Sequence, residues 1–307
     1  MHHLYDRGYK KLFSNKTLFR QLVESFVPYD WVKSLDFDQC ELVDKSFLSK
    51  EYEKRESDII YKIQLKGTTA YIVILVEFQS SPDKFMAIRV AHYIYSFYMR
   101  LIESKQKPEK LPPIFPIVLY NGMDKWTSST QVSELIENNN LLGDFALNFQ
   151  YFKIAENEIA IERLLDIGNA VSTLFIGEVK HDQALLREAL AGLLNKEEQQ
   201  VVSILFNYFE QLFNHNKMSE VDWNALDTVR TEQEINMFLE SMRISNERLY
   251  QQGLMEGKIE GKVEGKVEGK QEEKLEVAKA MLEEGIAISV IAKITKLSTE
   301  EIERLRH

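Results

Sequence analysis

The chain has 307 residues, 44% hydrophobic and 28% charged, with a formal charge of −10 and a single cysteine, Cys40. These values suit a soluble globular protein of about two domains and exclude collagen-like, mucin-like and wholly disordered chains. One cysteine excludes a disulfide framework and a Cys-rich zinc module. The start, Met1-His2-His3-Leu4-Tyr5-Asp6-Arg7, carries charge at once and lacks the apolar stretch of a secretory leader. The longest apolar run, residues 70–76, is far below the roughly 20 residues of a membrane helix. A cytoplasmic protein without a membrane segment is expected. The charge is uneven: residues 1–130 hold 19 Lys/Arg against 16 Asp/Glu, and the remainder holds 19 against 32. A polyanion would prefer the first part, although a balance of +3 is also ordinary surface composition.

In chain order, Tyr9, Leu12, Phe13, Phe19, Leu22, Val23 and Phe26 predict a helix over 9–27, ended by Pro28. Strands are predicted over 42–48, 58–65 and 70–79, the last two joined as a hairpin through Lys66-Gly67-Thr68-Thr69. Ser81-Pro82-Asp83 reads as a helix start, with Met86, Val90, Tyr93, Ile94, Phe97 and Leu101 as its apolar face. A further strand follows over 114–120 after the break at Leu111-Pro112-Pro113, and its inner Pro116 suggests an edge or irregular start. The order α-β-β-β-α-β indicates an α/β fold with a mixed sheet and packed helices.

Four segments follow from this pattern: an α/β core over 1–130, an all-helical continuation over 131–250, a glycine-rich repeat over 251–274 and a small helical module over 275–307. In the repeat, Gly253, Gly257, Gly261, Gly265 and Gly269 recur every fourth residue, the last four within Glu-Gly-Lys units. As a helix it stacks Glu on Glu and Lys on Lys at i,i+4, and each glycine costs about 1 kcal/mol against alanine. It is therefore either a flexible linker or a helix whose glycines let a partner approach. The second reading predicts a homo-oligomer, most simply a dimer, through residues 253–270. The last module carries a Ser298-Thr299-Glu300-Glu301 capping box and resembles a small helix-turn-helix. Its five Lys/Arg against six Asp/Glu favour protein contact or packing over reading DNA.

Chemistry is expected on the hairpin. Asp58 opens one apolar strand and Glu77 closes the next, and Gln79 shares the face of Glu77. Two acids at strand ends with a polar neighbour can hold Mg²⁺ and orient a water; strand-end charges that only solubilise are the alternative. The six histidines show no ligand spacing, and no phosphate loop is present.

Tyr5-Asp6…Tyr9-Lys10, Arg55-Glu56-Ser57-Asp58 and Glu77-Phe78-Gln79-Ser80-Ser81-Pro82-Asp83 resemble the recombination-promoting nuclease family (Rpn, also labelled YhgA-like transposases). Met86, Arg89 and Tyr93, and the stretch Leu111-Pro112-Pro113-Ile114-Phe115-Pro116-Ile117-Val118-Leu119-Tyr120-Asn121-Gly122, continue the match over residues 5–126. The resemblance implies a PD-(D/E)XK restriction-endonuclease-like core and Mg²⁺-dependent (or other divalent-ion) DNA hydrolysis linked to recombination, mobile elements or defence, with nucleoid association when DNA is bound. It makes Asp58 and Glu77 the metal ligands and puts Gln79 in the place of the usual lysine. Asp6 matches an acid that completes the site. Lys84 and Arg89, on the following helix, are expected to contact DNA phosphate. Two departures stand out: Tyr5 replaces a frequent histidine, and Gln79 lacks the positive charge of lysine. A catalytically degenerate fold acting as an oligomeric interaction or regulatory factor is the rival reading.

Overall fold

The computed structural model describes residues 2–43, 59–77, 82–104, 108–180, 183–214 and 226–305. The chain divides into two compact units, Met1–Arg243 and Ile244–His307. The first opens with two helices instead of the single one expected over 9–27. α1 (His2–Phe13) and α2 (Lys16–Phe26) part at Asn15, whose extended backbone interrupts the turn. The Asn15 Oδ1 accepts the amides of Thr17 at 2.9 Å and Leu18 at 3.2 Å, satisfying donors that open a new helix. Leu18, Phe19, Leu22, Val23 and Phe26 are buried, as the periodicity requires.

Strands β1 (Leu35–Leu42), β2 (Ile59–Leu65), β3 (Thr68–Glu77), β4 (Ile114–Tyr120) and β5 (Phe152–Ala155) lie in that spatial order in one sheet. The first three pair antiparallel, and β3, β4 and β5 run parallel. β1 corrects the strand expected over 42–48, of which only Leu42 belongs to it; residues 44–48 lie outside the described residues. A register shift between Asp36 and Glu41 buries Phe37 and Cys40, three residues apart, and so hides the alternation. The hairpin turn is also shorter than expected. Lys66 and Gly67, at φ of 50° and 77°, make it alone, and Thr68 already pairs with Leu65. Two left-handed residues suit the right-handed twist of the strands they join.

Both faces of the sheet are covered. Tyr61, Ile63, Ile72, Ile74, Val76, Ile117 and Leu119 share a core with residues of α1, α2, α5 (Ala170–Lys180), α6 (Gln183–Leu193) and α7 (Gln199–Asn214). On the other face Ile60, Val73, Leu75, Val118 and Tyr120 meet α3 (Met86–Glu103). That helix begins later than Ser81-Pro82-Asp83 suggested. Asp83 spends its Oδ1 on the Phe85 amide, at 2.8 Å, which makes a turn there and delays the helix to Met86. β5 is the further difference, since it adds a strand to the sheet beyond residue 130 and within the stretch expected to be wholly helical. Four residues are too few to show a period. Past β5, α4 (Ile161–Ile167) and α5 to α7 follow the helical pattern.

α8 (Glu232–Glu283) begins in the first unit, with Ile235, Leu239 and Met242 in its core, and continues through residues 253–270. The glycine repeat is thus helical. In the second unit, Ala278, Ile291, Leu297 and Ile302 form a small core between α8, α9 (Ile288–Thr295) and α10 (Thr299–Arg304), and the Ser298–Glu301 capping box is present. Among the described residues no helix is long and apolar enough to cross a membrane.

Asn15→Ala should lower the unfolding free energy by about 1 kcal/mol, seen as a reduced urea midpoint at unchanged slope.

Candidate active site at the carboxyl edge of the parallel strands

The register sets Glu77 opposite Tyr120 and Tyr120 opposite Ala155, so β3, β4 and β5 end side by side. Glu77, the last residue of β3, follows Val73 and Leu75 on the α3 face, and its side chain is 12% exposed. Arg89, in the first turn of α3, brings its Nη1 to 2.6 Å from Asp83 Oδ2 and 3.8 Å from Glu77 Oε2. The structure therefore brings Arg89 to Glu77, whereas Lys84 is exposed with its ammonium 5.7 Å from the Phe85 ring.

Asp58 and Gln79 lie outside the described residues; Ile59, next to Asp58, pairs with Ile74. Asp6 belongs to α1, three residues before Tyr9, and its side chain is likewise outside the description. Among the described residues no three or more His, Cys, Asp or Glu side chains form a metal-binding group. Carboxylates nevertheless converge at this edge. Burial raises the Tyr120 phenol above its ordinary value, and Asp124, Glu77 and Glu158 raise it further with their charges.

Sequence reasoning did not single out the polar network beneath these acids. The Asn121 amide donates to the Glu77 carbonyl at 3.1 Å, extending the ladder one residue past β4. Its side-chain Nδ2 donates to Tyr9 Oη at 2.6 Å and to Glu156 Oε2 at 3.1 Å, and Tyr9 Oη donates to the same Oε2 at 3.0 Å. Glu156 is fully buried, and its Oε1 has no hydrogen-bond partner among the described residues. Burial holds its carboxyl well above the usual range and nearby Glu178 adds to this, against the Tyr9 hydrogen bond. Glu178, raised by burial, accepts from Tyr208 Oη at 2.6 Å. Tyr9 and Asn121 stood within the motifs of the resemblance, but nothing in the sequence distinguished Glu156 from any acid after a strand.

The next two residues clamp the loop after β4. Asn157 Nδ2 donates to the carbonyls of Gly122 (2.9 Å), Met123 (3.2 Å) and Asp124 (2.8 Å), and Glu158 Oε1 accepts the Trp126 amide at 3.0 Å. Gly122 is required sterically, because a Cβ there would lie 2.1 Å from Cζ of the Tyr120 ring.

Comparison with known proteins gives this edge a context. The sequence profile of the YhgA-like transposase family matches residues 2–204, more than half of the chain. The chain belongs to this family. A second profile, the C-terminal helix-turn-helix domain of the Rpn/YhgA-like nuclease family, matches residues 271–307. Among relatives, recombination-promoting nuclease RpnC of Escherichia coli (strain K12) is 28% identical over 118 residues, 38% of this chain and 39% of RpnC. The chain thus spans about two fifths of RpnC's length. Recombination-promoting nuclease RpnA of the same strain is 24% identical over 281 residues, 87% of this chain and 85% of RpnA. The inactive recombination-promoting nuclease-like protein RpnE, also of that strain, is 23% identical over 316 residues, 97% of this chain and 96% of its own length. No solved structure matches the chain. The Tyr120-Asn121-Gly122 turn of this Rpn-family chain makes one sharp expectation. Gly122→Ala should destabilise it by about 1–3 kcal/mol by thermal or urea unfolding, and by less in a Tyr120→Leu background, where the colliding ring is gone.

Proposed function

We propose that this Rpn-family chain is a divalent-metal-dependent DNA endonuclease built on a PD-(D/E)XK core. The observation that carries this reading is Glu77. It is a mostly enclosed carboxylate at the carboxyl end of a central parallel strand, with the Arg89 guanidinium 3.8 Å away. Carboxylate oxygens are the donors that Mg²⁺ takes, and Asp58 and Glu77 would hold it, with Asp6 completing the site. When bound, the ion would polarise a non-bridging phosphate oxygen and lower the pKa of a coordinated water. Gln79 would be the residue that orients a water for attack. Arg89 supplies beside Glu77 the positive charge that Gln79 lacks, and can donate to a phosphate oxygen as charge develops there. Lys84, exposed at the approach to the same helix, fits a phosphate contact further along the strand.

The helix-turn-helix match over residues 271–307 supports DNA as the partner, although the module itself is not basic. The second reading, a degenerate nuclease fold acting through assembly, is favoured by one observation: the relative matching 97% of the chain is named inactive. Cleavage decides between them. The protein should nick or cut DNA in Mg²⁺ and not in excess EDTA. Asp58→Ala should abolish cutting at unchanged circular dichroism, and Gln79→Ala should slow it about 10–100-fold. Cutting that persists in EDTA or in Asp58→Ala rules the nuclease reading out.

We also propose that residues 253–270 associate two copies. Among the described residues, a Cβ built at Gly257, Gly261, Gly265 or Gly269 meets nothing within 4 Å, which supports a backbone kept bare for a partner rather than for packing within the chain. Light scattering should give a dimer for the full chain and a monomer for one ending at Tyr250. Equal oligomeric states would remove this role.

A further inference from the structure

We infer that Tyr9, Asn121 and Glu156 are positioning residues of the candidate site: a buried, neutral Glu156 fixes the Asn121 side chain, and the Asn121 main chain then fixes Glu77 at the end of β3. The inference rests on the proposed nuclease reading only for its activity readout. Each link is a described contact. Asn121 is held from below by Tyr9 and Glu156 at 2.6 and 3.1 Å, and its own amide reaches the Glu77 carbonyl at 3.1 Å. Its neighbours cannot relax independently, since Asn157 binds three successive carbonyls from Gly122 to Asp124. A displacement of Asn121 is therefore passed to the backbone of Glu77.

The charge state follows from the surroundings. The groups facing Glu156 are Tyr9 from α1, Asn121 after β4 and Glu178 from α5, and Tyr208 of α7 binds Glu178. Among the described residues none of these is a cation, one is a second acid, and the Oε1 of Glu156 has no hydrogen-bond partner. A carboxylate in such a place is costly, while the neutral acid keeps Oε2 as an acceptor for Tyr9 and Asn121. Because burial raises the folded-state value above the unfolded one, the stability due to Glu156 is full below the ordinary carboxylate range. It is lost as pH rises through the raised value.

The test uses the full chain and four proteins: wild type, Glu156→Gln, Glu156→Met and Tyr9→Phe. Hydrogen exchange over residues 121–126 and the end of β3 reports positioning directly. Glu156→Gln, neutral and still an acceptor, should keep wild-type protection. Its melting temperature should exceed that of wild type by a gap that widens from pH 5 to pH 8. Glu156→Met, of similar volume but with no oxygen acceptor, should raise local exchange and lower Mg²⁺-dependent cleavage, each by about tenfold or more. Tyr9→Phe keeps the ring and removes the hydroxyl, so it should loosen the same segment even if Glu156→Met fails to fold. Unchanged exchange over 121–126 in Tyr9→Phe, or a Glu156→Gln protein with protection lost as in Glu156→Met, overturns the inference. If wild type cuts no DNA, the nuclease reading falls while exchange and melting still decide the positioning claim. If wild type cuts and Tyr9→Phe cuts equally well, the positioning claim alone falls.

Discussion

Three parallel strands that stop at the same level create a problem of unpaired polar groups, and the hydrogen bond from the Asn121 amide to the Glu77 carbonyl is where this fold solves it. Beyond that bond the chain leaves the sheet at half-buried Asn121 and Gly122, while Glu156, which follows β5, is fully buried. Buried polar groups must be paired, so the residues just past the strands have to bond one another. Asn121 and Glu156 do so across the gap between β4 and β5, and Tyr9 closes the set from α1. The same contacts fix the first helix against the sheet. Tyr9 packs its ring on Phe13 and Tyr208 while its hydroxyl serves the network, so apolar burial and polar satisfaction act on one side chain.

On the opposite face the constraint is electrostatic. Glu77 is too enclosed to be stabilised by water alone, and Asp83 adds a second acid near it. One guanidinium answers both, at 2.6 Å from Asp83 and 3.8 Å from Glu77. Arg89 can do this because the Asp83 turn delays α3 until Met86, which leaves Arg89 in the first helical turn beside the end of β3. The side chains remain 12–28% exposed, so water still reaches the pair.

What the sequence made legible follows the same physics. The long apolar segments announce themselves: β2, β3 and β4 as near-continuous apolar runs, because both faces of the sheet are buried, and α3 and the later helices through burial at every third and fourth residue. The elements missed are those in which a single residue overrides the period. Asn15 splits one helical pattern into two, the shift between Asp36 and Glu41 breaks the alternation of β1, and β5 is too short to have a pattern. At the site, Glu77 could be read as a strand-end acid, but its neighbours could not. Glu156 lies 79 residues further on, and only the parallel pairing of β4 with β5 brings it beneath Asn121. Asn121 and Gly122 were visible as part of a motif without a reason. The reason is a collision with the Tyr120 ring and a side chain directed into a buried network.

The long helix α8 poses the opposite case, where local rules argue against the structure adopted. Four-residue repeats place Glu256, Glu260, Glu264 and Glu268 at i,i+4, and Lys258, Lys262, Lys266 and Lys270 likewise, a like-charge spacing that disfavours an isolated helix. Each glycine adds backbone entropy to be lost. Where a glycine lies inside a packed core its absence of Cβ makes room, as at Gly177 against Phe209, but at Gly257, Gly261, Gly265 and Gly269 a Cβ would meet no atom of the described residues within 4 Å. Alanine would be the better helix former at all four positions if the helix served only its own chain. On the proposed reading the repeat makes physical sense as one half of a contact. Bare backbone allows close approach of a second helix, and stripes of Glu and Lys that repel within one chain can pair across two.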